Sequence, residues 1–177
     1  RGDDMSDDKV LQGPIEKLRS GDLDGAIAEL DDLMSSHKTN AEVHHMYAEF
    51  ANMKNTEAQD DVIPGGKIMM AYKKAMQMDE ENVEYIGDFA TFALECRRIP
   101  VAVKEFQRYA RRLDIEGIPV DEVLFTASRN IVDAIEVMDP SKQNPMVQPW
   151  LKQALIWSVG GLGYSPEDAI EMLSRED

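Results

Sequence analysis

Tyr47-Ala48-Glu49-Phe50-Ala51 returns 42 residues later as Phe89-Ala90-Thr91-Phe92-Ala93, with aromatic, Ala, polar, Phe and Ala in the same order. Val43 maps onto Tyr85 at that offset, and Ala26, Leu30 and Leu33 stand 42 residues before Ile68, Tyr72 and Ala75. The second set recurs once more as Ala102, Phe106 and Tyr109, now at an offset of 34. Two kinds of segment therefore alternate, and an eight-residue insertion separates the two periods. The polar stretch from Lys54 to Gly66, ending Pro64-Gly65-Gly66, is the place for it. Repeats of this length mark stacked supersecondary units that bury their apolar faces only against one another.

The units are helical. Val43, Met46, Tyr47, Phe50 and Ala51 fall at i, i+3, i+4, i+7 and i+8, one face of a 3.6-residue period. From Val83 to Cys96 two faces are apolar, as expected of a helix packed on both sides. Gly21-Asp22, Asn40, Gly65-Gly66, Asn82, Pro100, Asp114 to Pro119 and Asp139-Pro140 punctuate the chain into helices of three to four turns. Pro14 makes the first unit's opening helix begin late.

Three segments resemble the second helix of a tetratricopeptide repeat (TPR): Gly21-Asp22-Leu23-Asp24-Gly25-Ala26-Ile27 with Leu30 and Leu33, Ala71-Tyr72-Lys73-Lys74-Ala75 through Asn82, and Pro100-Val101-Ala102 through Phe106. The resemblance covers about residues 14–115. It departs from the family pattern in having His44 and Ile86 where a Trp is usual, Ile68 in place of a small Ala, and Glu80 in place of Pro. It implies an all-α, TPR-like right-handed superhelix of antiparallel helix pairs, about three repeats, closed by C-terminal capping helices. The expected division is an acidic flexible N-terminus over 1–12, repeats over 13–40, 41–82 (with the insertion 54–66) and 83–117, and a degenerate repeat with capping helices over 118–177.

In that last part Val120–Met138 and Pro145–Val159 read as helices, and Gly160-Gly161-Leu162-Gly163 as a stop. Ser165 caps a final helix, with Pro166 in its first turn. The stretch from Gly163 to Leu173 also resembles the loop and second helix of a ubiquitin-associated domain, but the chain ends too soon for a third helix, so it reads as a cap. Trp150 and Trp157, one heptad apart, either seal the end of the stack or form a homodimer contact.

The chain has 177 residues, 34 acidic and 19 basic, for a net charge of −15. The length suits one domain burying about 70 % of its unfolded surface. The acidity disfavours nucleic acid and anionic membranes, and no run is apolar enough to span a bilayer. One cysteine excludes an internal disulfide and points, with no leader-like start, to a reducing cytoplasm. Arg1-Gly2-Asp3 reads as tail rather than integrin ligand, with Met5 as the native start.

No group of residues makes a catalytic constellation, so the expectation is no enzyme and no cofactor. Ser20-Gly21-Asp22-Leu23-Asp24-Gly25 through Asp31 has the letter pattern of a calcium loop, with Asp rather than Glu at its twelfth place; the same letters suit a turn and helix start. A calcium- or metal-responsive protein is thus one alternative. His37, His44 and His45 lack the i, i+4 spacing of a zinc pair. Cys96, on the apolar stripe, is expected buried and inert. The eleven methionines are expected as core filler, with Met69 or Met70 at the surface.

The resemblance implies a concave groove lined by first helices. The groove positions are then Glu42, His45, Glu49 and Asn52, followed by Glu84, Asp88, Thr91 and Glu95. The Lys/Asn/Arg clamp that some members use for a C-terminal carboxylate is absent. An acidic groove predicts a protein-interaction scaffold taking a basic protein or peptide, with the 54–66 insertion as an accessory loop. The alternative is a dimeric secretion or assembly chaperone of the type III translocator-chaperone kind. Arg97, Arg98, Lys104, Arg108, Arg111 and Arg112 form a basic strip, read as a solvated face or as a second docking patch.

Overall fold

The computed structural model describes residues 7–118, 122–165, 167–168 and 170–171, with the backbone alone for Asp7 and Asp8. Among these residues the chain is helical, without strands. The helices are α1 (Asp7–Val10), α2 (Gln12–Arg19), α3 (Leu23–Ser36), α4 (Ala41–Ala58), α5 (Gly65–Met78), α6 (Val83–Glu95), α7 (Ile99–Ile115), α8 (Glu122–Met138) and α9 (Gln148–Gly161). They fall into two compact units, residues 1–85 and 86–177, with α6 entering the second after its first turn.

In the first unit α2 packs on α3, α3 on α4 and α4 on α5. The residues that recur in the sequence are the ones sealed from water. Ala26 and Leu30 on α3, Val43, Tyr47, Ala48 and Ala51 on α4, and Ile68 and Ala75 on α5 are at most 1 % exposed. Side-chain caps start the helices: Asp22 Oδ1 accepts from the Gly25 N–H (2.9 Å), Asn40 Oδ1 from Val43 (3.1 Å) and Asn82 Oδ1 from Tyr85 (3.2 Å). Each satisfies a donor that the helix itself leaves orphaned. Pro14 sits inside the first turn of α2, where its missing N–H costs nothing.

Two expected boundaries move. The N-terminal part is ordered earlier than expected, since α1 begins at Asp7 and Leu11 is buried. An apolar residue beside the core is drawn in despite the acidic flank. The 54–66 insertion is only in part a loop: α4 continues through Ala58, α5 begins at Gly65, and 59–64 connect them. Gln59 ends α4 in the left-handed region (φ 52°). Asn55 then holds the connection as a strand partner would, donating Nδ2–H to the Ile63 carbonyl (2.8 Å) and accepting the Ile63 N–H (2.9 Å). Lys54 and Lys67, flanking it, pair with Asp24 and Asp31 of α3, both at 2.9 Å.

In the second unit α8 packs on α9, and both touch α7. A Cβ on Gly87 of α6 would come within 3.0 Å of the Tyr109 ring of α7, so the glycine permits that close approach. Between α8 and α9 the Ser128 and Ser158 hydroxyls bond at 2.7 Å, and Ser128 also donates to the Phe125 carbonyl. Gly161 lies where a Cβ would strike the Phe125 ring. Gly163 (φ +90°) ends α9 as the glycine-rich stop predicts, with the Tyr164 N–H returning to the Val159 carbonyl (3.1 Å). Ser165 and Asp168 exchange side-chain-to-backbone bonds at 3.1 Å, a capping box. Arg1–Asp3, Met5, Pro119, Val120, Pro166 and Leu173, named above, lie outside the described residues.

Trp157 is 3 % exposed and meets Phe106 edge-on, ring centroids 6.0 Å apart. It is a core residue of its own unit and is not available for the dimer contact considered above; Trp150 is half-buried. Trp157→Ala therefore loses about 3–5 kcal/mol of stability in urea unfolding, while its oligomeric state by light scattering matches the wild type. A folded variant of altered size contradicts this.

Candidate functional site

The eight groove positions divide at the unit boundary. Glu42, His45, Glu49 and Asn52 occupy one face of α4, and Glu84 stands in the first turn of α6, all within the first unit. Asp88, Thr91 and Glu95 belong to the second. Glu42, Glu49, Glu84, Thr91 and Glu95 are exposed, and Asn52 and Asp88 are half-buried. His45 is buried, not open to solvent as a groove position would be expected to be. It is 6 % exposed, its ring lying 4.6 Å from that of Tyr85 and 5.9 Å, edge-on, from that of Tyr72. Those two rings come from α5 and α6, which the pattern of α4 alone does not reveal.

Below His45 on the same side of α4, Glu49, Phe50, Asn52, Met53, Thr56, Glu57 and Tyr72 of α5 line a cleft of about 360 Å³. A second cleft of about 320 Å³, between α3, α4, Lys67 of α5 and the 59–64 connection, is lined by the Lys54–Asp24 and Lys67–Asp31 pairs. There Lys67 lies 5.3 Å from the centre of the Tyr47 ring. Burial of Tyr47 raises its pKa above the usual phenol value, and the adjacent Lys67 opposes that shift. In the second unit Gln107, Arg111, Leu124, Gln153, Trp157 and Tyr164 are among the residues around a cavity of about 980 Å³ that the sequence did not announce.

The calcium reading is overturned by the helix itself. Gly25 to Asp31 are helical, not a loop, and the side-chain oxygens have other partners. Asp22 caps the helix, Asp24 pairs with Lys54, Asp31 with Lys67, and the Ser20 hydroxyl donates to the Lys17 carbonyl (2.8 Å). Gly25 is needed because a Cβ there would collide with the capping Asp22 carboxylate. The histidines also disperse: His37 Nδ1 meets the Ser36 hydroxyl (3.0 Å), and His44 Nε2 meets the Lys38 carbonyl (3.1 Å).

His44 is 2 % exposed. Bonding to a carbonyl requires the proton on Nε2, which leaves the sealed Nδ1 without a partner. Burial pushes its pKa below the usual histidine value, with the Lys74 charge adding to that and the Lys38 carbonyl opposing it.

Other expectations are corrected at the surface. Cys96 is exposed, because α6 ends at Glu95 and the chain turns out through Arg97 in the left-handed region (φ 59°). Methionine is not mainly filler: Met76 is buried, but Met53, Met70, Met78, Met138 and Met146 are all exposed. Met70, at 52 %, is the exposed member of its adjacent pair. In the basic strip, Arg97, Arg98, Lys104 and Arg111 are exposed, while Arg108 approaches Glu105 (3.9 Å) and Arg112 pairs with Glu116 (3.0 Å).

The arrangement defines a TPR-like helical-repeat fold. Two crystal structures of MamA resemble it. One matches at a TM-score of 0.54 and 15 % identity, covering 89 % of this chain and 88 % of that one. The other matches at 0.56 and 14 % identity, covering 94 % and 87 %. At such identities the likeness concerns the fold. No protein-family model matches the chain, and no curated protein is significantly similar to it. No helix of the described residues is long and apolar enough to cross a membrane.

Two measurements check these assignments. Asp22→Ala lowers stability by about 1 kcal/mol, the usual value of a lost cap, and calcium leaves the melting temperature of wild type and variant unchanged. A calcium-dependent rise restores the loop. For His44 the folded state resists protonation, so its share of stability is full above the unfolded histidine pKa of about 6.5 and is lost as pH falls below it. Urea midpoints between pH 7 and 5 should fall less steeply in His44→Gln than in wild type; equal slopes refute the assignment.

Proposed function

We propose that the chain is a non-enzymatic, intracellular interaction scaffold whose first unit binds a basic protein segment on the acidic face of α4 and the start of α6. The fold likeness supports protein binding only in general terms. The observation that carries the acidic-face reading is how unevenly the carboxylates are matched. On α3, Asp24, Glu29 and Asp31 each pair with a lysine of another helix, Lys54, Lys17 and Lys67. Glu42 and Glu84, like Asp32 on α3, are exposed and enter no ion pair among the described residues, and Glu49 meets His45 at 3.7 Å.

Unmatched like charges repel one another and weaken the fold slightly, and they attract a basic partner over about a Debye length. The cleft below, with Phe50, Met53 and Tyr72 between Glu49 and Glu57, offers apolar contact beside the charge. Nothing in this reading requires the dimer of the chaperone alternative. Purification as a monomer that binds several basic segments weakly supports the scaffold, and a dimer committed to one insoluble client supports the chaperone.

A fluorescent peptide alternating Lys with Gly is the probe. Binding followed by anisotropy weakens as salt rises, and Glu42→Gln, Glu49→Gln and Glu84→Gln together weaken it on the order of tenfold. A Glu/Gly peptide does not bind. Salt-independent affinity, or a triple variant equal to wild type, defeats the proposal.

A further inference from the structure

Tyr85 is 9 % exposed, with its ring packed on that of His45. Its backbone N–H is taken by Asn82, but no described residue hydrogen-bonds its hydroxyl. Among the described residues, the sealed side-chain atoms without a partner are Asn40 Nδ2, His44 Nδ1 and Glu105 Oε2. The Tyr85 oxygen is not one of them, so it opens to solvent. The ring is buried and its polar tip reaches water, where it is open to a ligand. Acids from three parts of the first unit act on it electrostatically: Glu42 and Glu49, two turns apart on α4; Asp79, at the end of α5; and its own neighbour Glu84. Burial first, then these charges with Glu42 foremost, push the phenol up to about 12. Asp79 accepts from Asn82 at 3.4 Å and Glu49 meets His45, which leaves the exposed Glu42 and Glu84 carboxylates facing solvent.

We propose that this place is a receptor for the guanidinium of a partner's arginine, bound by Glu42, Glu49 and Glu84 with the Tyr85 hydroxyl as a further acceptor. The assignment rests on the acidic-face reading above and deepens it to one residue type and one atom. The groups on offer are carboxylates and a phenol oxygen that can accept, beside the His45 and Tyr72 rings. A guanidinium supplies five donors in a plane, is always charged and is weakly hydrated, so it can serve several acceptors while lying near aromatic surface. An ammonium gives only three donors around a compact, strongly hydrated charge. Burial of the ring beneath the hydroxyl fixes the oxygen in place before a ligand arrives, which lowers the ordering cost of binding.

The test is an amide-NMR titration of the full chain at low salt in EDTA. The probes are acetyl-Gly-Arg-Gly-Arg-Gly-amide and the same peptide with citrulline, which has arginine's shape without its charge. The arginine peptide is expected to shift amides around Glu42, Glu49 and Tyr85, and the citrulline peptide to shift none of them. Tyr85→Phe keeps the ring and alters no charge. It should weaken the arginine peptide about tenfold, as expected for one lost hydrogen bond to a charged group. Phenolate absorbance should show Tyr85 ionising at lower pH once the peptide saturates. Full affinity in Tyr85→Phe, equal binding of the citrulline peptide, or shifts centred elsewhere overturns the receptor. Failure of the arginine peptide where the lysine peptide binds overturns the receptor alone, and failure of both removes the acidic-face reading as well.

Discussion

Small residues at the helix contacts are the constraint on which the rest depends. Ala26, Ala48, Ala51, Ala75, Ala90, Ala93 and Ala102 are all fully sealed. An alanine at a contact lets the neighbouring backbone come near, and the aromatic one turn away, Tyr47 or Phe106, fills the space beside it. Neither residue type works alone. Aromatics at every contact would hold the helices apart, and alanines at every contact would leave too little apolar area to stabilise the pair. Gly87 against Tyr109 and Gly161 against Phe125 carry the same logic to its limit, with no Cβ at all.

Close helices leave little room for unsatisfied polar groups, and the polar chemistry is correspondingly local. Asp22, Asn40 and Asn82 spend their side chains on helix starts, Asn55 on the backbone of Ile63, and Ser128 with Ser158 on each other. Lysine pairs with α3 acids lie outside this set, are partly exposed and contribute little each. Their effect is on the connection after α4, which Lys54 and Lys67 flank. The Tyr85 hydroxyl differs in facing solvent, with no hydrogen bond to the described chain.

The repeat was legible because it is written in spacing. Tyr47-Ala48-Glu49-Phe50-Ala51 and its copy at Phe89 fix which faces are buried, and the structure seals both, with the polar Glu49 and Thr91 outside. What depends on a neighbouring helix was not legible. His45 reads as polar on α4, yet two tyrosines from elsewhere cover it. Cys96 continues an apolar stripe on paper, but its helix has already ended. Residues 54–58 look like loop because they are polar, whereas a helix running past its partner is polar on all sides. The acids that act on Tyr85 could not be grouped from the sequence, because their convergence needs α4, the end of α5 and the first turn of α6 together.

That convergence changes the meaning of the net charge. Spread evenly, −15 over 177 residues would favour solubility and little else. In the first unit three of the four acids of α3, Glu29, Asp24 and Asp31, are answered by lysines from α2, α4 and α5, so their charge is spent on the fold. Near Tyr85, Glu42 and Glu84 enter no ion pair among the described residues. Lys73 and Lys74 on α5 are exposed, yet the charges felt by the Tyr85 phenol are all negative. On the proposed reading, the charge that balances Glu42 and Glu84 is brought by a basic partner.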